Sequence, residues 1–403
     1  MNKKIMVLAG SQWQIPITKK ITEMGHLPYV VNLYPDSPAF KYAYKTGVMD
    51  ILNKKDCLEF ASENNIDAVL SEECDIAMPM VAYIAEELSL SALSTDMAAL
   101  YTNKFMMREF CREHNIAYPE YRKCKTIEEA KEFFKTVNKK IIIKPLDANS
   151  SRGVFTINSE VELELHFPEA MFFSKVEKCV LAERYIEGTE FTIDGVKTPE
   201  KHYTMAISKK KHYEHNPNVA CELYFSHYNN NFDYEKLKQI NDKFVNESGL
   251  NFGLTHAEYK YEDGVFYMIE IAARGGGNLI SADIVPVMSG IDNYKYLIDC
   301  SLGNIQNKDF SVDEKYKSRC AVLHFFDVSG NGGVVDLVKG TDFLNNNPNV
   351  LKWALNFKVG DHIEKAADDS KRAGYYIAYA ESKQELDELM ARIKEEFDIV
   401  YCD

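Results

Sequence analysis

Short apolar runs alternate with amphipathic stretches along the first part of the chain. Residues 4–9 (KIMVLA) read as a buried first strand closed by Gly10-Ser11-Gln12, and a helix over residues 17–24 stops at Gly25. A second strand follows at LPYVVNL, then a helix-like DCLEFASENN, a strand within DAVLSEECD and a helical period through MPMVAYIAEELSL. This alternation predicts a parallel α/β sheet as a first domain, residues 1–95. Ligands of such sheets sit beyond the carboxyl ends of the strands. Gly10, Ser11, Gln12 and the acidic cluster Glu72, Glu73 and Asp75 therefore fall at a pocket rim. No G-x-G-x-x-G follows the first strand, which disfavours a dinucleotide site.

From Ser94 the pattern changes, and residues 96–309 read as a second domain. STDMAALYTNKFMMREFCREHNI has helical spacing with a cap at Ser94 or Thr95. After Pro119 a short helix (TIEEAKEFFKTV) leads into IIIKPLDANSSRGV. Three β-branched residues in a row suit a strand covered on both faces. The adjoining Lys144 is costly to bury unless an anion meets it. The loop over residues 147–153 holds two serines, an arginine and a glycine, enough to fold over a negative charge; for Lys144 taken alone, a surface lysine closing a strand is the plainer reading. CVLAERYIEGTEFTIDGVK reads as two strands joined like a hairpin at Glu187-Gly188, and KHYTMAISKKKHY continues the β character. FDYEKLKQINDKFVNESGL is an amphipathic helix stopped by Gly249, and GLTHAEYKYEDGVFYMIEIAARGGG is a hairpin turning at residues 262–264. Beyond residue 310 the pattern is mostly β (RCAVLHFFDV, GGVVDL, AGYYIAYA) with a last helix, SKQELDELMARIKEEF, which predicts a small α+β third domain, residues 310–403.

Composition narrows the function classes. Of 403 residues 46% are hydrophobic, as in a globular protein. The 61 acidic residues against 47 basic ones set a net charge of −14, which argues against a general nucleic-acid binder while leaving room for a local phosphate pocket. Nine cysteines with no C-x-x-C pair argue against a disulfide scaffold or a structural zinc site, and fit a reducing cytoplasm. No apolar run approaches the ~20 residues that span a bilayer. The expectation is a soluble cytoplasmic protein.

The second hairpin carries the first candidate chemistry. Counting outward from its turn, Glu258 lies within one or two residues of facing Glu270. Two carboxylates on neighbouring strands repel unless a cation lies between them, and Mg²⁺ suits oxygen ligands and substrate phosphates. On the hairpin alone, two solvated glutamates explain the pattern equally well. Arg274 followed by Gly275-Gly276-Gly277 shifts that balance, with a charged fork and unobstructed backbone amides for an oxyanion. His256 shares the strand face of Glu258 and is read as a substrate-side contact. The run Lys209-Lys210-Lys211 either touches phosphate, with Lys209 as the candidate, or lies solvated, while His212 and His215 read as a polar loop near the site entrance. ERYIEGTE turns so that residues 183–186 offer backbone groups to an adenine edge and Glu190 accepts from ribose hydroxyls, although alone the stretch is better explained as a salt-bridged hairpin.

The order of these features resembles the ATP-grasp superfamily: Asn103-Lys104 on a helix, Lys144 ending a strand, E-x-Y-I-E-G-x-E, then E…E-x-x-x-R. The resemblance covers nearly the whole chain. It implies a pre-ATP-grasp domain, a central ATP-grasp fold with its lid, and the C-terminal domain of L-amino-acid ligases. It further implies an ATP-dependent carboxylate–amine ligase that works through an acyl-phosphate and releases ADP and phosphate, with amino acids as candidate substrates. Carried over by position, Lys104 and Lys144 contact the α- and β-phosphates, and Ser150, Ser151 and Gly153 belong to the lid. Glu183, Tyr185 and Ile186 line the adenine, and Glu190 holds the ribose. Glu258 and Glu270 bind Mg²⁺ or Mn²⁺, and Arg274 stabilises the transferred phosphoryl group. The substrate pocket falls between the first domain's strand ends and the Arg274–Asn278 turn, with Glu73, His256, Gly276 and Asn278 as its contacts. One departure stands out: the family often has asparagine two residues after the second metal glutamate, and Ala272 in that place removes a ligand for a second ion. The competing expectations are a carboxyphosphate-forming enzyme like biotin carboxylase or carbamoyl-phosphate synthase, and a non-catalytic ATP-binding sensor. Partners implied are small-molecule acids and amines, neither nucleic acid nor membrane, and a homodimer, usual for lookalikes.

Overall fold

The computed structural model describes residues 2–146, 153–174 and 177–402. Its first part is a parallel sheet, β1 (Lys4–Leu8), β2 (Leu27–Asn32), β3 (Lys45–Val48) and β4 (Ala68–Leu70), in the order β3-β2-β1-β4. Helices α1 (Ile15–Glu23), α2 (Lys54–Glu63) and α3 (Met78–Leu88) cover it. Ile5 and Val7 pack into one core and Met6 and Leu8 into another, so the first strand reads as an unbroken apolar run. Strand β3 escapes a hydrophobicity reading because it is an edge strand whose Lys45, Thr46 and Val48 are exposed.

The expected long helix after Ser94 is two, α4 (Thr95–Leu100) and α5 (Lys104–Glu113). The Asn103 side chain accepts from the amides of Phe105 and Met106, which caps a new helix and sets Lys104 in its first turn. A small antiparallel sheet follows: β5 (Tyr121–Cys124), α6 (Ile127–Val137), β6 (Ile141–Pro145), β7 (Phe155–Ile157), α7 (Glu160–Phe173) and β8 (Val180–Arg184), with strands ordered β5-β8-β6-β7. Ile141 and Ile143 enter its core against Phe133, Leu163 and Phe167 of the two helices. Helix α7 carries Pro168 inside it and leaves Val161 and Leu165 exposed, so no amphipathic stripe marks it in sequence.

The large sheet begins with β9 (Thr189–Lys197), β10 (His202–Tyr213) and β11 (Asn216–Ser226), then α8 (Tyr234–Glu247), β12 (Gly253–Glu262) and β13 (Val265–Ala272). A π-helical turn (Ile280–Ile284) leads into α9 (Val285–Ser289) and α10 (Asn293–Ser301). The last part holds β14 (Cys320–Phe325), β15 (Gly333–Lys339), α11 (Thr341–Asn346), β16 (Val350–Leu355), β17 (His362–Ile363), β18 (Gly374–Ala380), α12 (Lys383–Glu396) and β19 (Asp398–Tyr401). Eight strands form one sheet in the order β13-β12-β9-β10-β11-β14-β18-β16, which continues across residue 310 without a break. Strands β17, β15 and β19 form a separate small sheet. No helix among the described residues is long and apolar enough to cross a membrane.

One expectation is overturned here. ERYIEGTE is no hairpin: β8 belongs to the small sheet and β9 to the large one. Residues 185–188 bridge the two, and local alternation carries no information about which sheet a strand joins.

Candidate active site

The bridge at residues 185–188 lies where the two sheets meet. The Tyr185 amide donates to the Lys140 carbonyl (3.0 Å) and the Glu187 amide to Glu262 Oε1 (2.7 Å). The ammonium groups of Lys140 and Lys260 stand over the Tyr185 ring at 4.7 and 4.3 Å. Ile186 is buried, and its carbonyl accepts from Lys260 Nζ at 3.3 Å.

A cluster of buried charges stands beside this bridge. Lys104 and Arg108, one turn apart on α5, project the same way. Arg108 Nε donates to Glu183 Oε1 at 2.7 Å and a terminal nitrogen to the Ile269 carbonyl at 2.6 Å. Lys144, at the end of β6, reaches the other oxygen of Glu183 at 2.6 Å. Burial pushes the Lys144 ammonium down to about 8 against the pull of Glu183, and the nearby Arg108 and Lys104 push the same way. For Glu183 burial works upward, but Arg108 and Lys144 hold it below its usual range. Glu183 thus clamps two cations with its side chain, rather than leaving it free for an adenine edge. Lys104 pairs with Glu270 at 2.9 Å; burial alone would lower it, and Glu270, Asp75 and Glu183 raise it.

Glu258 and Glu270 are direct register partners across β12 and β13. Lys210 Nζ joins Glu258 (2.7 Å) to Glu190 (2.6 Å), and His212 Nε2 lies 3.4 Å from the other Glu190 oxygen. Burial opposes ionisation of both glutamates, yet Lys210 holds both low, Glu190 at about 2. The expectation for Lys209 is corrected. Strand side chains alternate, so Lys209 faces the opposite side of the sheet, its ammonium 5.9 Å over Phe232, and Lys210 occupies the site. Two facing carboxylates with phosphate oxygens and water as further ligands fit a hard divalent ion. Ala272, opposite His256 in the register, adds no ligand. Among the described residues no group of three or more His, Cys, Asp or Glu residues is arranged to hold a metal by itself.

The turn after β13 is held from both sides. Arg274 forms a two-pronged pair with Asp75 (2.9 and 2.5 Å), and a further nitrogen donates to the Gly275 carbonyl at 2.7 Å. The Gly275 amide donates to Glu72 Oε1 (3.0 Å), the Gly276 amide to Asp194 Oδ1 (3.1 Å) and the Leu279 amide to Glu73 Oε2 (3.1 Å). The amides of Gly275 and Gly276 are therefore engaged by carboxylates, which corrects the expectation of unobstructed donors for an oxyanion. A Cβ at Gly276 would lie 2.5 Å from Asp194 Oδ1 and 2.8 Å from His256 Nδ1, so only glycine fits. Asn278 and Leu279 follow with φ of +54° and +65°. His256 Nδ1 lies 2.9 Å from Asp194; burial would lower the imidazole, and Asp194 and Glu258 raise it to about 9. Burial pushes Glu72 up to about 7 and Glu73 well above its usual range, each with one buried oxygen lacking a hydrogen bond. A cavity of about 700 Å³ opens beside Leu279, lined among others by Trp13, Lys19, Lys352, Tyr294 and Tyr375.

The structure thus gathers Lys104, Lys144, Glu183, Tyr185, Ile186, Glu190, Glu258, Glu270, Arg274, His256, Gly276 and Glu73 around one cleft and its rim. Gly153, with φ of +72°, opens the described part of the following strand. Ser150 and Ser151 lie outside the described residues. Sequence reading missed Arg108, Asp194 and Lys210. Each carried a periodic signal: Arg108 four residues after Lys104, Asp194 four after Glu190 on one strand face, and Lys210 two after Ser208, whose hydroxyl meets Thr192 beneath the same cleft at 2.7 Å.

Comparison with known proteins agrees with this geometry. Residues 137–283 match the family model of the ATP-grasp domain, and residues 326–401 match L-amino acid ligase C-terminal domain 2. Dapdiamide A synthase of Enterobacter agglomerans is 21% identical over 74% of this chain and 72% of its own length. Among relatives in sequence the matched stretch falls as low as 28% of their length. L-amino acid ligase of Bacillus licheniformis superposes with a TM-score of 0.82 at 18% identity, covering 100% of this chain and 99% of that one. Phosphoribosylglycinamide synthetase of Anaerococcus prevotii gives 0.75 at 18% identity and 100% coverage of both. Residues 137–283 are thus similar to ATP-grasp domains, and the chain as a whole shares the fold of these ligases.

Proposed function

We propose that the protein uses ATP to join the carboxylate of one amino acid to the amine of a second, through an acyl-phosphate and with release of ADP and phosphate. The observation that carries the reading is the facing pair Glu258 and Glu270, set between the buried Lys104 and the half-buried Lys210 and followed by the clamped Arg274. The C-terminal module favours amino acids over bicarbonate as the acid.

In this reading the adenine lies against the bridge at Tyr185 and Ile186, the ribose hydroxyls at Glu190, and the phosphates at Lys104 and Lys144. Mg²⁺ held by Glu258 and Glu270 supplies charge neutralisation of the triphosphate when bound. Each charge pair at ~4 Å contributes roughly 4 kcal/mol at an effective dielectric near 20, so two lysines and an arginine offset much of the phosphate repulsion. Lys144, depressed to about 8 by burial, gains its proton fully when the triphosphate arrives. Arg274 faces the oxygens of the transferred phosphoryl group, its fork oriented by Asp75. The unsatisfied oxygen of Glu73 receives the ammonium of the incoming amine and takes a proton from it, and Asn278 borders that position. The cavity beside Leu279 holds the body of the acceptor. We place this reaction in the cytoplasm and in a homodimer.

The test is ADP and phosphate release with ATP and Mg²⁺ over a panel of amino acids, singly and in pairs. Turnover that requires an acid together with an amine, and is lost in Glu270→Ala, establishes the ligase and its substrates. ATP hydrolysis dependent on bicarbonate instead, or ATP binding without turnover for any pair, overturns it.

A further inference from the structure

The run Lys209-Lys210-Lys211 places its middle member in the nucleotide cleft, and its outer members on the other face of the sheet. There a second cavity of about 510 Å³ lies between α8 and α12, floored by β10 and β11. That volume is in the range of small-molecule sites. Lys209 and Lys211 are exposed at its edge, two residues apart on one strand face and so roughly 7 Å from each other. Neither forms an ion pair among the described residues; Lys209 meets only the Phe232 ring.

The acids of this cavity are already engaged. Glu222 faces His324 Nδ1 at 3.3 Å, and Asp387 pairs with Lys383 and accepts from the Tyr224 hydroxyl at 3.0 Å. Glu222 is also the cross-strand partner of Lys211, and its carboxyl is held below its usual range by His324 and further by the Lys211 charge. Apart from Lys210, the lining therefore sets Lys209, Lys211 and Lys383 against Glu222 and Asp387, one positive charge in excess in a chain of net charge −14. A second observation is independent of the lysines. Tyr234, 3% exposed, lines the cavity, and its buried hydroxyl has the Asn229 and Ser226 side chains near it but no hydrogen bond of good geometry. Asn229, Asn230 and Asn231 add amide donors and acceptors, and Tyr224 and Tyr228 add ring faces.

We propose that this cavity is a second ligand site, distinct from the nucleotide cleft, for a phosphorylated small molecule. The phosphate sits between Lys209 and Lys211, where two ammonium groups act as point charges. The asparagine amides and the Tyr234 hydroxyl take up hydroxyl groups on the rest of the ligand, which lies against the tyrosine rings.

The experiment is equilibrium dialysis of the full-length protein with radiolabelled inorganic phosphate. A saturating non-hydrolysable ATP analogue and Mg²⁺ keep the nucleotide cleft filled. One equivalent of phosphate still binds, and in Lys209→Ala/Lys211→Ala its dissociation constant rises roughly tenfold or more, with an unchanged melting temperature. Tyr234→Phe, which keeps the ring, weakens a phosphorylated sugar probe more than it weakens inorganic phosphate. Absence of phosphate binding once the cleft is filled, or equal binding by the wild type and the double variant, overturns the proposal.

Discussion

Buried charge at this site is arranged so that every cation has a carboxylate on a different element. His256 shows the consequence most directly. Its imidazole titrates near 6.5 in an unfolded chain and at about 9 here, because burial, which would lower it, is outweighed by Asp194 and Glu258. A group whose folded value is raised adds stability in full below about 6.5, and that stability is lost as the pH rises through 9. The shift corresponds to about 3 kcal/mol as an upper bound. Urea unfolding at a series of pH values should therefore show stability falling over this window, and Asp194→Asn should flatten the slope. An unchanged slope in Asp194→Asn removes Asp194 as the cause. The residues legible in sequence were those flanked by distinctive neighbours: Lys144 after its isoleucines, Arg274 before its glycines. Lys210 was hidden because three lysines in a row look alike until the strand's facing is known, and Arg108 because its spacing from Lys104 marks a shared helix face and not what that face meets.

Elements show the same limit at a larger size. Strands β12 and β13 paired as their pattern predicts, down to Glu258 opposite Glu270, since the hairpin's partner is its own neighbour in sequence. Strands β8 and β9 did not, because what joins them is the geometry of two sheets meeting. Gly188 makes that crossing at φ +104°, with the Tyr261 carbonyl where a Cβ would stand. Gly264, at φ +84°, has nothing within 4 Å of such a Cβ. Substituting Gly188 by valine adds a backbone clash to conformational strain of about 1–3 kcal/mol, whereas Gly264→Ala adds strain alone. Thermal melting should fall further for Gly188→Val than for Gly264→Ala. ATP affinity, read by calorimetry, should weaken only in the former, because the bridge it distorts carries Tyr185 and Ile186. Equal losses of ATP affinity would mean that the crossing has no part in shaping the nucleotide cleft.

Across the whole molecule, the proposed nucleotide cleft and the proposed substrate turn are held by different parts of the chain. Lys104, Lys144, Glu183 and Glu258 lie within the two central sheets and their helix. The Arg274 turn is gripped from the first sheet, through Glu72, Glu73 and Asp75 after β4, with Gln14 of the loop after β1 donating to the Glu72 carbonyl at 2.6 Å. Strand order β3-β2-β1-β4 is what sets these two loops side by side. This division separates binding from chemistry. Asp75→Asn keeps the shape of the side chain but withdraws the charge facing a buried arginine. Breaking such a pair costs about 3–5 kcal/mol, and here the cost falls on the position of the Arg274 fork. Amine-dependent ADP release should then drop by roughly a hundredfold, as expected when a transition-state contact is misplaced by ~1 Å. ATP affinity should change by no more than a few-fold, because Lys104 and Lys144, the lysines proposed to meet the phosphates, keep their direct partners Glu270 and Glu183. Loss of rate and of ATP affinity together would show that the first sheet supports the whole cleft rather than the turn alone. Rate loss by itself would assign to the first sheet the task of orienting Arg274, the arginine proposed to meet the reacting group.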